Sequence, residues 1–393
     1  MKITRKRIVL TGIAALFLVS AVSAAVYVAY GIHYPTHEGE YKVGQTKLYM
    51  TDKERLEVFS DAPDDLRELP VTVYYPAEPV KGNVQAKFAS KAMEDVLAQA
   101  AGCPSFILDT IKPNSYVDAA PVAGKTFPVL LFSGGLYGQF PFYGSLLESV
   151  AAEGYIVVAI EHPYSELATV NSEGELIRYS DAGTAYCDIE TDNDKLEANS
   201  NVLCDIWTAD MLYVFDSLGE LNESNAILKG SMNLSNTGIF GHSFGGAAAI
   251  QCLQERKELA AGINLDGSIY GKQTTTPVEQ PFVFMNNSQE SIIGAICFQE
   301  KVVASESSEA CYHMMLLDST HDSFATDSGL LYDKYPFMKM GDIADVNGKS
   351  ALASLTGYIT AFFDQYIQGE PSEMLETGYS ADYPAIYSMK YKE

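Results

Sequence analysis

Basic residues are scarce in this chain: 26 Lys and Arg stand against 51 Asp and Glu, for a formal charge of −25. Phosphate binding needs clustered Lys and Arg, so the deficit argues against nucleic acid as a partner. It argues equally against electrostatic docking onto anionic lipid. No Cys-x-x-Cys pair occurs, which removes the usual footing for zinc ribbons and dithiol redox chemistry. Repeats and low-complexity tracts are also missing, so solenoids and long disordered tails drop out. What remains is a globular composition: 393 residues, 47% apolar and 20% charged, long enough to bury a sizeable core.

Only the N-terminus carries a long uncharged run. Lys2, Arg5, Lys6 and Arg7 precede residues 8–30, which as a helix would extend roughly 35 Å and could cross a bilayer. The same stretch, with Ser20, Ser23, Ala24 and Ala25 after its apolar centre, also suits a secretory signal. Either reading exports the rest of the chain, since the basic flank stays cytoplasmic. The expected result is an extracytoplasmic protein, anchored or secreted, whose membrane contact lies in residues 1–30. Its six cysteines then meet an oxidising compartment. Cys187–Cys204 and Cys297–Cys311 would close short loops and are the preferred pairs, with Cys252 expected as a buried free thiol.

Beyond residue 30, a linker with early strands is expected over 31–69, with one strand near 41–49. Val71-Thr-Val-Tyr-Tyr75, stopped by Pro76, reads as a strand, and 87–101 as a helix. The apolar, irregular stretch 103–122 reads as core under a long connection or as a hydrophobic lid. Pro128-Val-Leu-Leu-Phe-Ser133 and residues 155–161 are short continuous apolar runs, as in strands buried on both faces. An acidic excursion fills 165–200, and a long helix is expected over 201–221. Strands then fall at 237–240, 260–266, 281–285 and 312–318, alternating with helices at 245–257, 288–302 and 351–368. This alternation predicts one α/β domain over 70–372, a mostly parallel sheet with helices on both faces. Residues 373–393 read as a polar, aromatic tail.

The chemistry centres on Gly241-His-Ser243-Phe-Gly245-Gly246. A serine at the tip of a sharp strand-to-helix turn needs small residues two before and two after it, which is a nucleophile elbow. An apolar strand before it and an Ala-rich helix after it supply the required context. Such a serine needs a base, and only His313 and His321 lie downstream. His313 falls inside an apolar strand, whereas His321 follows a strand end, at the edge where ligands bind. For the acid, Asp266 ends the strand 260–266 directly, and Glu290 in the loop after 281–285 is the alternative. Two backbone N–H donors are needed for the oxyanion of acyl transfer. Phe244 supplies one, and the turn Ser133-Gly-Gly-Leu-Tyr137 the other, through Leu136 or next Tyr137. His33 and His37, four apart, lack a third ligand for a metal, and nothing in the motifs calls for a cofactor.

Taken together, these motifs resemble the platelet-activating factor acetylhydrolase family of plasma and intracellular type II. The likeness is carried by Phe132-Ser-Gly-Gly-Leu136, Ala159-Ile-Glu-His162, Gly241-His-Ser-Phe-Gly-Gly246, Leu265-Asp266 and Thr320-His-Asp-Ser-Phe-Ala325. Asn114-Ser-Tyr116, Ala120-Pro121 and Met340-Gly-Asp-Ile343 fit the same order. The resemblance spans about 71–368 and implies an α/β-hydrolase fold. It implies a calcium-independent esterase that removes short or oxidised acyl chains from the sn-2 position of phospholipids. It puts nucleophile, acid and base on Ser243, Asp266 and His321, and the oxyanion donors on Leu136 and Phe244. Phe106, Tyr137, His162 and Ser268 are expected along the substrate pocket. Two departures stand out: Gly134 replaces a histidine or proline, and Gly267-Ser268 replaces a bulky aromatic stretch that shapes the acyl pocket. A small-molecule or lipid ester is the expected substrate. General short-chain and polyester-type esterases, or an inactive binding scaffold, are the competing readings.

Overall fold

A computed structural model describes residues 31–138, 140–184, 193–289, 303–304, 307, 310–336, 346–376 and 378–392. The N-terminal run 8–30, Cys187, Cys297, Glu290, Met340-Gly-Asp-Ile343 and nearly all of the expected helix 288–302 lie outside these residues, and both preferred cysteine pairs lie partly there. No described helix is long and apolar enough to cross a membrane.

Ten strands form one sheet. They are β1 (Lys42–Leu56), β2 (Leu66–Ala77), β3 (Tyr116–Val117), β4 (Phe127–Ser133), β5 (Ile156–Ile160), β6 (Met232–His242), β7 (Leu259–Leu265), β8 (Phe282–Asn286), β9 (Cys311–Leu316) and β10 (Ile386–Lys392). Their order across the sheet is β10-β9-β8-β7-β6-β4-β5-β2-β1-β3. The run from β5 through β9 is parallel, while β1, β2 and β10 add antiparallel pairings at the two sides. Six helices matter here: α1 (Lys91–Ala100), α2 (Gly144–Ala152), α3 (Asn193–Ser224), α4 (Phe244–Glu255), α5 (Thr326–Lys334) and α6 (Gly348–Phe363).

The continuous apolar strands are buried on both faces for a simple reason. Side chains alternate across a strand, and each side has its own core. Val129 and Leu131 of β4 join Trp207 and Met211 of α3 and Ala247 and Ala248 of α4. Leu130 and Phe132 join Leu146 and Val150 of α2 and Leu355 and Phe362 of α6. Each such side chain, fully buried, contributes about 1.5–3 kcal/mol.

Three differences from the sequence reading have physical causes. Strand β2 runs through Pro76, which pairs with Val43 of β1 but faces its polar groups the other way, its carbonyl accepting the Val122 N–H at 3.2 Å. The missing N–H therefore breaks neither the β1 ladder nor that of β5, which ends at Tyr74. Residues 373–393 are more than a tail, since β10 pairs antiparallel with β9. Its alternation is short, with Ile386 and Ser388 buried and Tyr387 and Met389 exposed, so periodicity over a longer window misses it. The stretch 103–122 is core: Ile107, Leu108, Ile111 and Ala119 are buried, and Tyr116–Val117 extends the sheet as β3. The cysteine Cys252 is a buried free thiol, as expected.

Candidate active site

The elbow forms where β6 enters α4. Ser243 has φ 56° and ψ −123°, a strained conformation for a non-glycine residue. A Cβ on Gly241 would lie 2.4 Å from the Gly245 backbone, and one on Gly245 would lie 2.3 Å from the Gly134 carbonyl oxygen. Only glycine fits at either position. The Ser243 N–H donates to Leu265 O at 2.8 Å, which ties the elbow to the end of β7.

That end of β7 delivers Asp266, and the loop after β9 delivers His321. Ser243 Oγ lies 2.8 Å from His321 Nε2, and Asp266 Oδ2 lies 2.6 Å from His321 Nδ1. Asp266 is buried, whereas the His321 side chain is 41% exposed at the mouth of a cavity. Partial burial opposes charging of His321, but its hydrogen bond to Asp266 and the charges of Asp266 and Asp322 outweigh that. The net shift of the imidazole is upward from its ordinary value. Thr320 and Ser323 cap the short turn His321–Phe324 reciprocally and fix the histidine's approach. Asn287, just past β8, donates its N–H to Asp266 Oδ1 at 2.9 Å and its side-chain amide to Oδ2 at 2.7 Å.

The turn after β4 comes alongside. A Cβ on Gly135 would sit 3.0 Å from Ser243 Cβ, so this turn touches the serine. Between the two candidate donors in the turn, the geometry favours Leu136. The Tyr137 N–H is engaged with Ser165 O at 3.0 Å, while among the described residues no acceptor pairs with the Leu136 N–H. The cavity in front of Ser243 measures about 220 Å³, and Leu136, Tyr137, Phe142, Tyr143, His242 and Ser328 are among the residues that line it.

Three expected pocket residues lie elsewhere. Phe106 is 55% exposed, because the turn Ser105–Leu108 buries Ile107 and Leu108 instead; Ala100, at the end of α1, lines the cavity. Ser268 is not among the residues that line the cavity; Asn264 clamps the preceding Gly267 through both amide atoms, at 2.7 and 2.9 Å. His162 is wholly buried under the α3 side of the sheet, stacked on Trp207 at 3.9 Å. Burial holds this imidazole below its ordinary pKa, so it is neutral. It donates from Nδ1 to Asp210 at 2.8 Å and accepts the Ser133 hydroxyl at Nε2, 2.9 Å away. Asp210 in turn pairs with Arg67, itself buried and also bonded to Glu57 at 2.6 Å. The remaining candidates fall into ordinary roles. His313 reaches the Asn286 side-chain oxygen at 2.8 Å within the sheet, and His37 contacts Ser149 and Glu148. Asn287, Tyr143 and His242 escaped the sequence reading; an amide directly after the strand beside the acid's strand is the one signal that points to Asn287.

The chain is similar to known proteins. The chain is 26% identical over 274 residues to platelet-activating factor acetylhydrolase of Cavia porcellus, covering 64% of this chain and 60% of that one. It is 27% identical over 259 residues to a probable 1-alkyl-2-acetylglycerophosphocholine esterase of Arthroderma benhamiae, covering 62% and 60%. The chain thus spans about 60% of the length of these curated relatives. A ferulic acid esterase from Streptomyces cinnamoneus superposes with a TM-score of 0.76 at 22% identity, over 92% of this chain and 100% of that one, and shares the fold. The family described as platelet-activating factor acetylhydrolase, isoform II, matches residues 28–175 and 215–367, well over half of the sequence. With the elbow, the early acid and the α/β-hydrolase sheet in one order, the chain belongs to that family.

Proposed function

We propose that this protein is a serine esterase that hydrolyses carboxylic esters through an acyl-enzyme. The observation that carries the reading is the continuous path Ser243–His321–Asp266, at 2.8 and 2.6 Å, opening on the cavity. Ser243 Oγ attacks the ester carbonyl as its proton passes to His321 Nε2. The oxyanion accepts from the Leu136 and Phe244 N–H groups, and His321 returns the proton to the departing alcohol oxygen. Water then repeats the sequence, with His321 taking its proton, and releases the acid from Ser243. Asp266 holds the histidine tautomer and stabilises the imidazolium.

The family and the cavity support a substrate class. The relatives are named platelet-activating factor acetylhydrolase and probable 1-alkyl-2-acetylglycerophosphocholine esterase, and the cavity in front of Ser243 is small, about 220 Å³. That space suits a short acyl chain, so short-chain esters and sn-2 short or oxidised acyl phospholipids are the proposed substrates. The sequence of residues 1–30 supports an extracytoplasmic enzyme, anchored or released there; N-terminal mass analysis of the mature protein distinguishes the two.

The test is a hydrolysis panel of acetyl, butyryl and octanoyl nitrophenyl esters with an sn-2 acetyl phospholipid. The acetyl and butyryl esters should turn over fastest, and Ser243→Ala should lower kcat by about 10⁶-fold. Appreciable residual turnover in that variant would sink the mechanism, and equal octanoyl turnover would sink the short-chain assignment.

A further inference from the structure

Tyr143 ends the short turn Phe140–Tyr143 that leads into α2, and it is buried. Its ring lies against Gly134, where an added Cβ would meet Tyr143 Cε2 at 2.9 Å. Its hydroxyl reaches two groups. The Gly135 N–H donates to it at 3.2 Å, and His242 Nδ1 lies 2.7 Å away. The phenol oxygen accepts from Gly135, and among the described residues His242 Nδ1 is the acceptor within reach of its one proton, so we assign that proton to the bond with His242. With that assignment His242 is neutral and carries its own proton on Nε2, which is buried and finds no hydrogen-bond partner among the described residues. Burial, followed by repulsion from neighbouring His321, holds it well below its ordinary pKa, in agreement with this proton count.

The position of this bridge gives it a role in the chemistry. Gly135 immediately precedes Leu136, and His242 immediately precedes Ser243. One hydroxyl thus ties together the two backbone segments that carry the proposed oxyanion donors, Leu136 and Phe244. Such donors act only when held about 2.7–3.1 Å from the oxyanion. The two segments run so close that a Cβ added to Gly135 would lie 3.0 Å from Ser243 Cβ, so small slippage changes the donor spacing.

We propose that Tyr143 is a positioning residue for ester hydrolysis, whose hydroxyl braces the Gly134–Leu136 turn against the His242–Ser243 elbow. The inference rests on the serine esterase reading. It acts through backbone geometry, so removing the hydroxyl should weaken transition-state binding and leave substrate binding nearly untouched.

Tyr143→Phe keeps the ring on Gly134 and deletes only the oxygen. For nitrophenyl acetate its kcat should fall about 10–100-fold, short of the 10²–10³ typical of losing a donor outright, with KM within about twofold. A trifluoromethyl ketone, which adds Ser243 Oγ to give a tetrahedral oxyanion, should bind more weakly by the same factor. A purely structural role would lower the melting temperature and leave the kcat-to-KM split and ketone affinity unchanged. Wild-type kcat and ketone affinity in Tyr143→Phe overturn the proposal, as does a kcat loss with unchanged ketone affinity. If Tyr143→Phe does not fold, His242→Gln, which removes the other end of the bridge, is judged by the same two readouts. Wild-type protein that hydrolyses no ester would instead overturn the esterase reading itself.

Discussion

Asn287 holds the Asp266 carboxylate with both its backbone N–H and its side-chain amide, at 2.9 and 2.7 Å. The loop after β8 thus supports the acid of its neighbour β7. Both bonds are charge-assisted and buried, the kind worth about 1.5–3 kcal/mol. Asn287→Ala removes one and leaves the backbone bond. We expect kcat for nitrophenyl acetate to fall about tenfold with KM unchanged, since only the orientation of His321 is loosened. Steady-state kinetics on the purified variant decide it; a kcat within twofold of wild type would show that Asp266 needs no such support.

The upward shift of His321 sets a pH signature. The base must be neutral to accept the Ser243 proton, so kcat/KM falls as pH drops through the imidazole pKa. Because Asp266 and Asp322 favour the imidazolium, that midpoint should lie above the ordinary value of about 6.5. Asp266→Asn removes the chief favourable charge and the tautomer control together. Its activity should drop about 10⁴-fold and the acid limb of what remains should move to lower pH. An unmoved limb in the variant would remove Asp266 as the partner of His321.

What the sequence made legible here was whatever the backbone itself demands. Gly241 and Gly245 sit 2.4 and 2.3 Å from backbone atoms once given a Cβ, so no other residue is tolerated and the spacing survives as a pattern. Asp266 was legible because a carboxylate directly ends an apolar strand. Side-chain direction at a strand's end was not legible. His162 and Asp266 both follow the last residue of a parallel strand closely, yet His162 turns under the sheet to Trp207 and Asp210 while Asp266 turns to the cavity. That choice is made by α3 and Arg67, which are far away in the chain. Tyr143 was missed for a related reason: its partners Gly135 and His242 meet it only through the packing of three separate elements.

Arg67 is 2% exposed and bridges Glu57 and Asp210, both also buried. Burial alone would raise the Asp210 pKa, but the Arg67 charge and the bonds from Arg67 and His162 hold it far below the usual carboxylate range. Arg67→Met leaves Glu57 buried without its cation and weakens the anchor beneath Ser133. Removing one partner of a buried pair typically costs about 3–5 kcal/mol. Urea unfolding should report a loss of that size, and a loss below about 1 kcal/mol would mean that the cluster carries little of the fold.

Asp327 gives the fold a pH dependence of its own. It is buried where α5 packs on α2, accepting the Ser145 N–H at 3.2 Å and paired with the Tyr34 hydroxyl. Burial pushes its carboxyl up to about 8, against the pull of the bonds from Ser145 and Tyr34. In the unfolded chain it ionises near about 3.9. A folded value above the unfolded one means that the unfolded state loses its proton first as pH rises. The stability contribution is therefore complete below about pH 4, declines as pH climbs, and is lost by about pH 8. Asn cannot titrate, and it offers both an acceptor for Ser145 and a donor toward the Tyr34 oxygen. Thermal melts of wild type should show Tm falling between pH 5 and 8, with a flatter course in Asp327→Asn, so that the variant gains on wild type as pH rises. A Tm difference that stays constant across that range would mean that Asp327 is already ionised in the folded protein.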